Sequence, residues 1–115
     1  MNLFTTLNTL EDVHRYRQAG HPLFSLGHLF FTPASRELMA RHHIDLFALH
    51  HQHQHGDWGD LGTDDKNAND QALLDGNRIL SAYVIGGKQL YLLTEPVNEE
   101  SGMRRSTCLM LAKEY

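Results

Sequence analysis

The sequence predicts a small α+β domain, an antiparallel sheet of three to four strands with helices packed on it. Three observations predict it. Ile79–Ile85 and Lys88–Thr94 are β-branched, aromatic and aliphatic runs that flank Gly86-Gly87, the spacing of a two-residue hairpin. After the polar stretch Glu95–Gly102, Ser106–Ala112 supplies a further strand pattern. Upstream of the hairpin, apolar residues recur at helical spacing between cap and stop signals.

Taken in order, residues 1–8 read as a leader. Thr9 precedes Glu11 and Asp12 as a helix cap with acids in the first turn, and Leu10, Val13 and Tyr16 follow at helical spacing, so a short helix is expected over 10–18 with Gly20 as its stop. His21-Pro22 forces an extended entry. Leu23–Thr32 is expected to be a strand with Phe24, Leu26 and Phe30 inward and Gly27 a bulge. Thr32-Pro33 starts a helix, since proline is tolerated at the first helical position. His42-His43 ends that helix, and Ile44–Leu49 restarts an apolar pattern toward His53, giving two short helices with a kink. His55–Leu61 concentrates two glycines, two aspartates and Trp58, which is loop chemistry. Thr63 is expected to cap a helix that carries Asp64 and Asp65 in its first turn, Ala68, Ala72 and Leu73 as a thin apolar stripe, and Asp75-Gly76 as its end. The resulting division is residues 1–22, an N-terminal extension with a short helix, and residues 23–115, a single α+β domain.

Composition narrows the function classes. The 115 residues are 41% hydrophobic and 21% charged, ordinary for a globular domain. No apolar run approaches the ~20 residues that span a bilayer, and the first sixteen residues lack a basic stretch and a small-residue cleavage site, so no signal peptide is expected. Cys108 is the sole cysteine, which excludes an intramolecular disulfide and fits a cytoplasmic protein. A net charge of −4 with neutral histidines argues against binding nucleic acid through a basic surface. The apolar residues on both faces of the hairpin lead to a homodimer, formed by burying one sheet face or by pairing an edge strand Ser106–Ala112 with its copy. Helices 10–18 and 34–53 on opposite faces would instead seal a monomer.

Histidine usage is unusual: nine in all, six of them between His42 and His55. Protonating every one carries the formal charge from −4 to +5, and His50, His51, His53 and His55 are expected to titrate near the ordinary value. On a continuous helix His51 and His55 are four apart and His50 and His53 three apart, so His51, His53 and His55 with Asp57 form a candidate metal set. Gln52 stands where a metalloprotease helix needs glutamate. The plainer reading is a solvated helix end that takes zinc or nickel adventitiously, with no resident cofactor. Asp57, Asp60, Asp64 and Asp65 could hold magnesium, but turn and helix-cap roles explain them. Trp58, presented between Gly56 and Gly59, is expected to plug the core edge; exposed, it would join Asp57 and Asp60 as a partner-binding patch. Cys108, Ser81 and Ser106 lie in strands without a nucleophile elbow, and Gly86-Gly87-Lys88 is not a phosphate loop.

The pattern His53-x-x-Gly56-Asp57-Trp58-Gly59-Asp60-Leu61, Asp64-Asp65-Lys66-x-x-Asn69-Asp70, Gly76-x-Arg78-Ile79-Leu80-Ser81-Ala82-Tyr83, Thr94-Glu95, Arg105-Ser106-Thr107 and Glu114-Tyr115 resembles a family of small proteins of unassigned activity. These are common on bacterial plasmids and integrative elements and are labelled plasmid-related or as the modification subunit of a type I restriction enzyme. The resemblance covers roughly residues 23–115. A DNA methyltransferase needs an Asn/Asp-Pro-Pro-aromatic motif, and Pro22, Pro33 and Pro96 are isolated here. What the resemblance implies is an accessory role beside restriction and other defence systems. The function expected is a non-enzymatic protein-binding module of the mobile-element accessory class, anti-restriction or otherwise anti-defence, with a defence-system component as partner. The alternative is a metal-dependent phosphoesterase or nuclease using His53 with Asp57 and Asp60.

Overall fold

A computed structural model describes residues 7–115. Its elements are α1 (Leu10–Gln18), β1 (His28–Phe31), α2 (Pro33–Arg41), α3 (Ala48–Gln54), α4 (Thr63–Asp75), β2 (Ile79–Ile85), β3 (Lys88–Thr94), β4 (Ser106–Leu111) and a closing 3-10 turn, Ala112–Glu114. The fold is α+β, with the sheet order β1-β4-β3-β2. Most of the leader expected over residues 1–8 lies outside the described residues.

Local chemistry sets most boundaries. Thr9 and Asp12 form a capping box at the start of α1. Thr32 accepts from the Ser35 N–H, and Pro33 opens α2. α2 ends in a Schellman motif, with Ile44 N–H donating to the Met39 carbonyl and His43 N–H to that of Ala40. His43 holds the left-handed position, φ 55°, where glycine is usual. α4 starts one residue earlier than the sequence predicts: Gly62 rather than Thr63 is its N-cap, and Thr63 is its first residue.

The β1 region corrects two expectations. Only His28–Phe31 of the predicted strand Leu23–Thr32 is extended, and it pairs parallel to β4, so the sheet is mixed rather than wholly antiparallel. The chain reaches β1 after a turn at Gly27, φ 66°, where a Cβ would sit 2.5 Å from the Arg105 carbonyl oxygen. That turn breaks the alternation: Phe31 faces the core, while Phe30, expected inward, is 56% exposed. β4 lies between β1 and β3. Pairing of Ser106–Ala112 with a second copy is therefore closed off, because both of its edges are occupied.

Leu90, Leu92, Leu109 and Leu111 line the inner face and form one core cluster with Leu38, Met39, Leu49 and Tyr83. A second cluster joins Val13, Leu23, Phe24, Trp58, Ala72 and Ile79. Val13 is fully buried, so α1 belongs to the same body as residues 23–115 rather than to an appended extension. The helices do not divide between the sheet's two faces.

The free edge of β2 is covered from within the chain. Asn69 on α4 bonds both backbone groups of Leu80, donating to its carbonyl at 2.9 Å and accepting from its N–H at 3.2 Å. One residue pair further on, Ala82 N–H donates to the Trp58 carbonyl and Ala82 O accepts from Asp60 N–H. The edge-facing donors and acceptors of Leu80 and Ala82 are thereby satisfied without a neighbouring strand.

Candidate functional site

The histidine tract falls on α3 and its C-cap, and helical periodicity sorts it into two faces. His50 and His53, three apart, point into the core at 2% and 0% exposure. His51 and His55, four apart, stack on the outer side with ring centroids 4.1 Å apart, and His55 Nδ1 pairs with the His51 carbonyl at 2.7 Å.

His53 is the centre of a sealed polar chain. Its Nδ1 lies 2.5 Å from Ser81 Oγ and its Nε2 2.8 Å from Thr94 Oγ1. Thr94 Oγ1 is 2.7 Å from Thr107 Oγ1, which donates to the Leu26 carbonyl at 2.7 Å. The far end fixes every proton. Thr107 spends its only O–H on Leu26, so it accepts from Thr94; Thr94 then accepts from His53 Nε2–H, and Nδ1 accepts from Ser81 O–H. His53 is thus neutral in one tautomer. Burial, with the charges at His50 and Arg104 adding to it, pushes its pKa down to about 3. Ser81, Thr94 and Thr107 are all fully buried. A serine–histidine pair at this distance is the geometry of an activated nucleophile. Here the serine is sealed from solvent, and the far ring nitrogen donates to a neutral hydroxyl, so the pair holds the core together.

The loop after α3 wraps Trp58 over this chain. Trp58 is 4% exposed, which puts its indole at the core edge rather than on a partner-binding surface. Its ring meets Phe24 and His53 at centroid distances of 6.2 and 5.8 Å. The indole N–H donates to Asp70 Oδ1 at 2.8 Å, the oxygen that also pairs with Arg17. Arg17 reaches back to the Gly56 carbonyl, and its guanidinium lies 5.9 Å from the Trp58 ring centroid. Gly59 makes the approach to β2 possible: at φ 75°, a Cβ there would sit 1.9 Å from the Ala82 carbonyl oxygen. Tyr83 donates to the Asp57 carbonyl at 2.7 Å, and burial raises its pKa above the usual phenol range. Behind the loop, Arg104 is 6% exposed and donates to the carbonyls of Asn77, Glu95 and Ala72, tying together the end of α4, the approach to β2 and the exit from β3. Burial lowers its pKa to about 10, with Asp75 opposing, so it stays a cation at neutral pH.

The candidate metal set does not converge. His51 and His55 face outward and His53 inward with both nitrogens engaged. Asp57 accepts from Gln52 Nε2 and from the Gly59 N–H. Among the described residues no group of three or more His, Cys, Asp or Glu side chains could hold a metal ion. The phosphoesterase set fails for the same reason, since His53 is walled off from the exposed Asp57 and Asp60. The expectation that all four tract histidines titrate near the ordinary value fails for His50 and His53, which burial shifts downward. Sequence reasoning missed Ser81, Thr94, Thr107, Asn69, Asp70, Arg17 and Arg104. A signal for the first three was present: they interrupt the inward row of each strand, where the neighbours two residues away are Ile, Leu or Tyr.

The other face of the sheet has a different character. Register places Leu80, Ala82 and Val84 of β2, Gln89, Tyr91 and Leu93 of β3, Ser106, Cys108 and Met110 of β4, and His28 and Phe30 of β1 on it. No Asp, Glu, Lys or Arg stands among them. Phe30 and Val84 are more than half exposed. Leu80 and Tyr91 continue into an open groove of about 820 Å³ under α4, rimmed by Asp60, Asp65 and Arg78. Asp60, expected in a partner-binding patch with Trp58 and Asp57, lies here instead. Comparison with family models, with curated proteins and with solved structures finds no match to this chain. No described helix is long and apolar enough to cross a membrane.

Proposed function

We propose that this chain is a protein-binding module rather than an enzyme, and that its docking surface is the uncharged outer face of the sheet, closed in the free protein by a second copy. The observation that carries this reading is the absence of charge across eleven outward positions on four strands. A sheet face meant for water normally alternates to polar and charged side chains. This one keeps leucine, valine, phenylalanine, methionine and tyrosine, the composition of an interface core with its charges moved to the rim. With both edges of β4 occupied and much of the β2 edge covered, the open edge of the four-residue β1 is short, so face-to-face contact offers a homodimer the larger surface.

The narrower reading rests on the sequence resemblance: an accessory protein of a mobile element, cytoplasmic, whose outer face engages a defence-system component in an anti-restriction or related role. On that reading the second copy protects the face until the partner displaces it. The lone half-buried thiol of Cys108 accords with a reducing compartment.

Light scattering at micromolar concentration tests the docking face. The expected mass is twice 13.1 kDa for the native chain, falling to the monomer mass for Val84→Lys combined with Met110→Lys. Both sites face outward, so folding should be retained. A native chain of 13.1 kDa, or a double variant that keeps the larger mass, contradicts the reading.

A further inference from the structure

His50 is unlike every other buried polar group described above. It is 2% exposed, and neither ring nitrogen has a hydrogen-bond partner. Its neighbours are rings: Phe31 at 5.0 Å and Phe47 at 6.1 Å between centroids. The Leu46 carbonyl, one turn back, is close enough to favour a proton but does not complete a hydrogen bond. An orphaned buried polar group is costly, and in a native fold it calls for an explanation.

We propose that His50 makes the N-terminal half of α3 an acid-released latch, which opens to solvent on protonation while the sheet and the His53 chain stay closed. The two halves of α3 are held very differently. At the C-terminal end, Gln54 donates to the Phe24 carbonyl and accepts from the Leu23 N–H, and His53 is fixed at both nitrogens. At the N-terminal end, Phe47 is the N-cap, has no side-chain cap bond and is 53% exposed. The bond that the Phe47 N–H donates to Asp45 Oδ1 and ring contacts with Phe31 hold that end.

The groups facing His50 give an imidazolium no closed-state partner. Asp45 is engaged by the Phe47 N–H in the preceding turn. From α2, Arg36 holds its guanidinium 5.8 Å from the Phe31 centroid, a cation that opposes a second one. His53 on the same helix is neutral and committed, and the facing sheet residues Leu90, Leu92 and Leu109 are apolar. A protonated ring finds water only by leaving. Leaving carries Leu49 out with the helix and bares its apolar seat, Leu38 and Met39.

Amide hydrogen exchange across pH, corrected for intrinsic rates, tests the latch. An opening that takes up one proton loses protection about tenfold per pH unit below about 6.5, until the closed state itself protonates. The expected result is this one-proton loss for the His51 amide, which donates to the Phe47 carbonyl. The β3 amides, freed only by global unfolding that also bares His53, stay better protected and lose protection more steeply. In His50→Phe, which keeps the ring contacts and cannot titrate, the α3 dependence should vanish. An α3 profile that coincides with that of β3 in the native chain overturns the latch, as does an unchanged α3 profile in His50→Phe. The native-chain comparison decides the matter even if the variant fails to fold.

Discussion

His53→Ala is expected to lose about 4 kcal/mol of stability at neutral pH, the largest effect of a single substitution outside the apolar core. Removing the ring strands the Ser81 hydroxyl without its acceptor and Thr94 without its donor, each worth about 1–3 kcal/mol when buried. It also leaves a cavity beneath Phe24 and Trp58 that the rigid sheet cannot fill. The same residue shapes the acid limb. Its folded pKa of about 3 lies below the ordinary 6.5, so the unfolded chain binds its proton first as pH falls. The contribution of a neutral His53 is present in full above pH 6.5 and is lost progressively as pH drops toward 3. The gap corresponds to about 4–5 kcal/mol. Urea unfolding at several pH values should show native stability falling steeply below 6.5 and a flatter fall in His53→Ala. Equal slopes, or a loss under 1 kcal/mol at neutral pH, would contradict the sealed chain.

Trp58→Ala is expected to cost about 3–5 kcal/mol, as deletion of a large buried aromatic does. The indole fills the space between Phe24 and His53 and satisfies Asp70. Without it, Asp70 retains Arg17 alone, and the segment that covers the β2 edge loses its anchor. Trp58→Phe separates these contributions. It keeps most of the ring contact and loses the N–H, so about 1–2 kcal/mol is expected, near the value of a hydrogen bond to a charged group. Because the indole is buried away from the outer face, Trp58→Phe should retain the native oligomeric mass. A Trp58→Ala chain of unchanged stability that had lost self-association would make the residue part of the docking surface.

Residues with local causes were legible from the sequence. The hairpin around Gly86-Gly87, the capping box at Thr9, the proline start of α2 and the break at His42-His43 depend on neighbours a few positions away, and the structure has them where the pattern puts them. Errors arose where distant partners decide. Phe30 faces outward because Gly27 turns the chain against the Arg105 backbone, a contact between residues far apart in sequence. β1 runs parallel to β4 because the long path through α2, α3, α4 and the hairpin returns the chain to the same end of the sheet. The histidine tract showed its helical spacing but not its destination. Metal-ligand spacing for His51 and His55 was visible, whereas the burial of His50 and His53 depends on Ser81, Thr94 and the rings of Phe24, Phe31 and Phe47. Asn69 and Asp70 stand out in the sequence only as part of the pattern Asp64-Asp65-Lys66-x-x-Asn69-Asp70. Their roles, standing in for a strand and pairing an indole with a guanidinium, exist only once the loop and β2 are in place.

The docking face is tested most directly at Cys108, the one thiol, which sits on that face between Phe30 of β1 and Leu93 of β3. Its alkylation rate at fixed pH should fall as protein concentration rises from low to high micromolar, because a second copy closes over it, and should recover on dilution. In the Val84→Lys, Met110→Lys chain the rate should stay constant across that range. A native chain whose Cys108 reacts at one rate at every concentration would contradict the claim that two copies meet through this face.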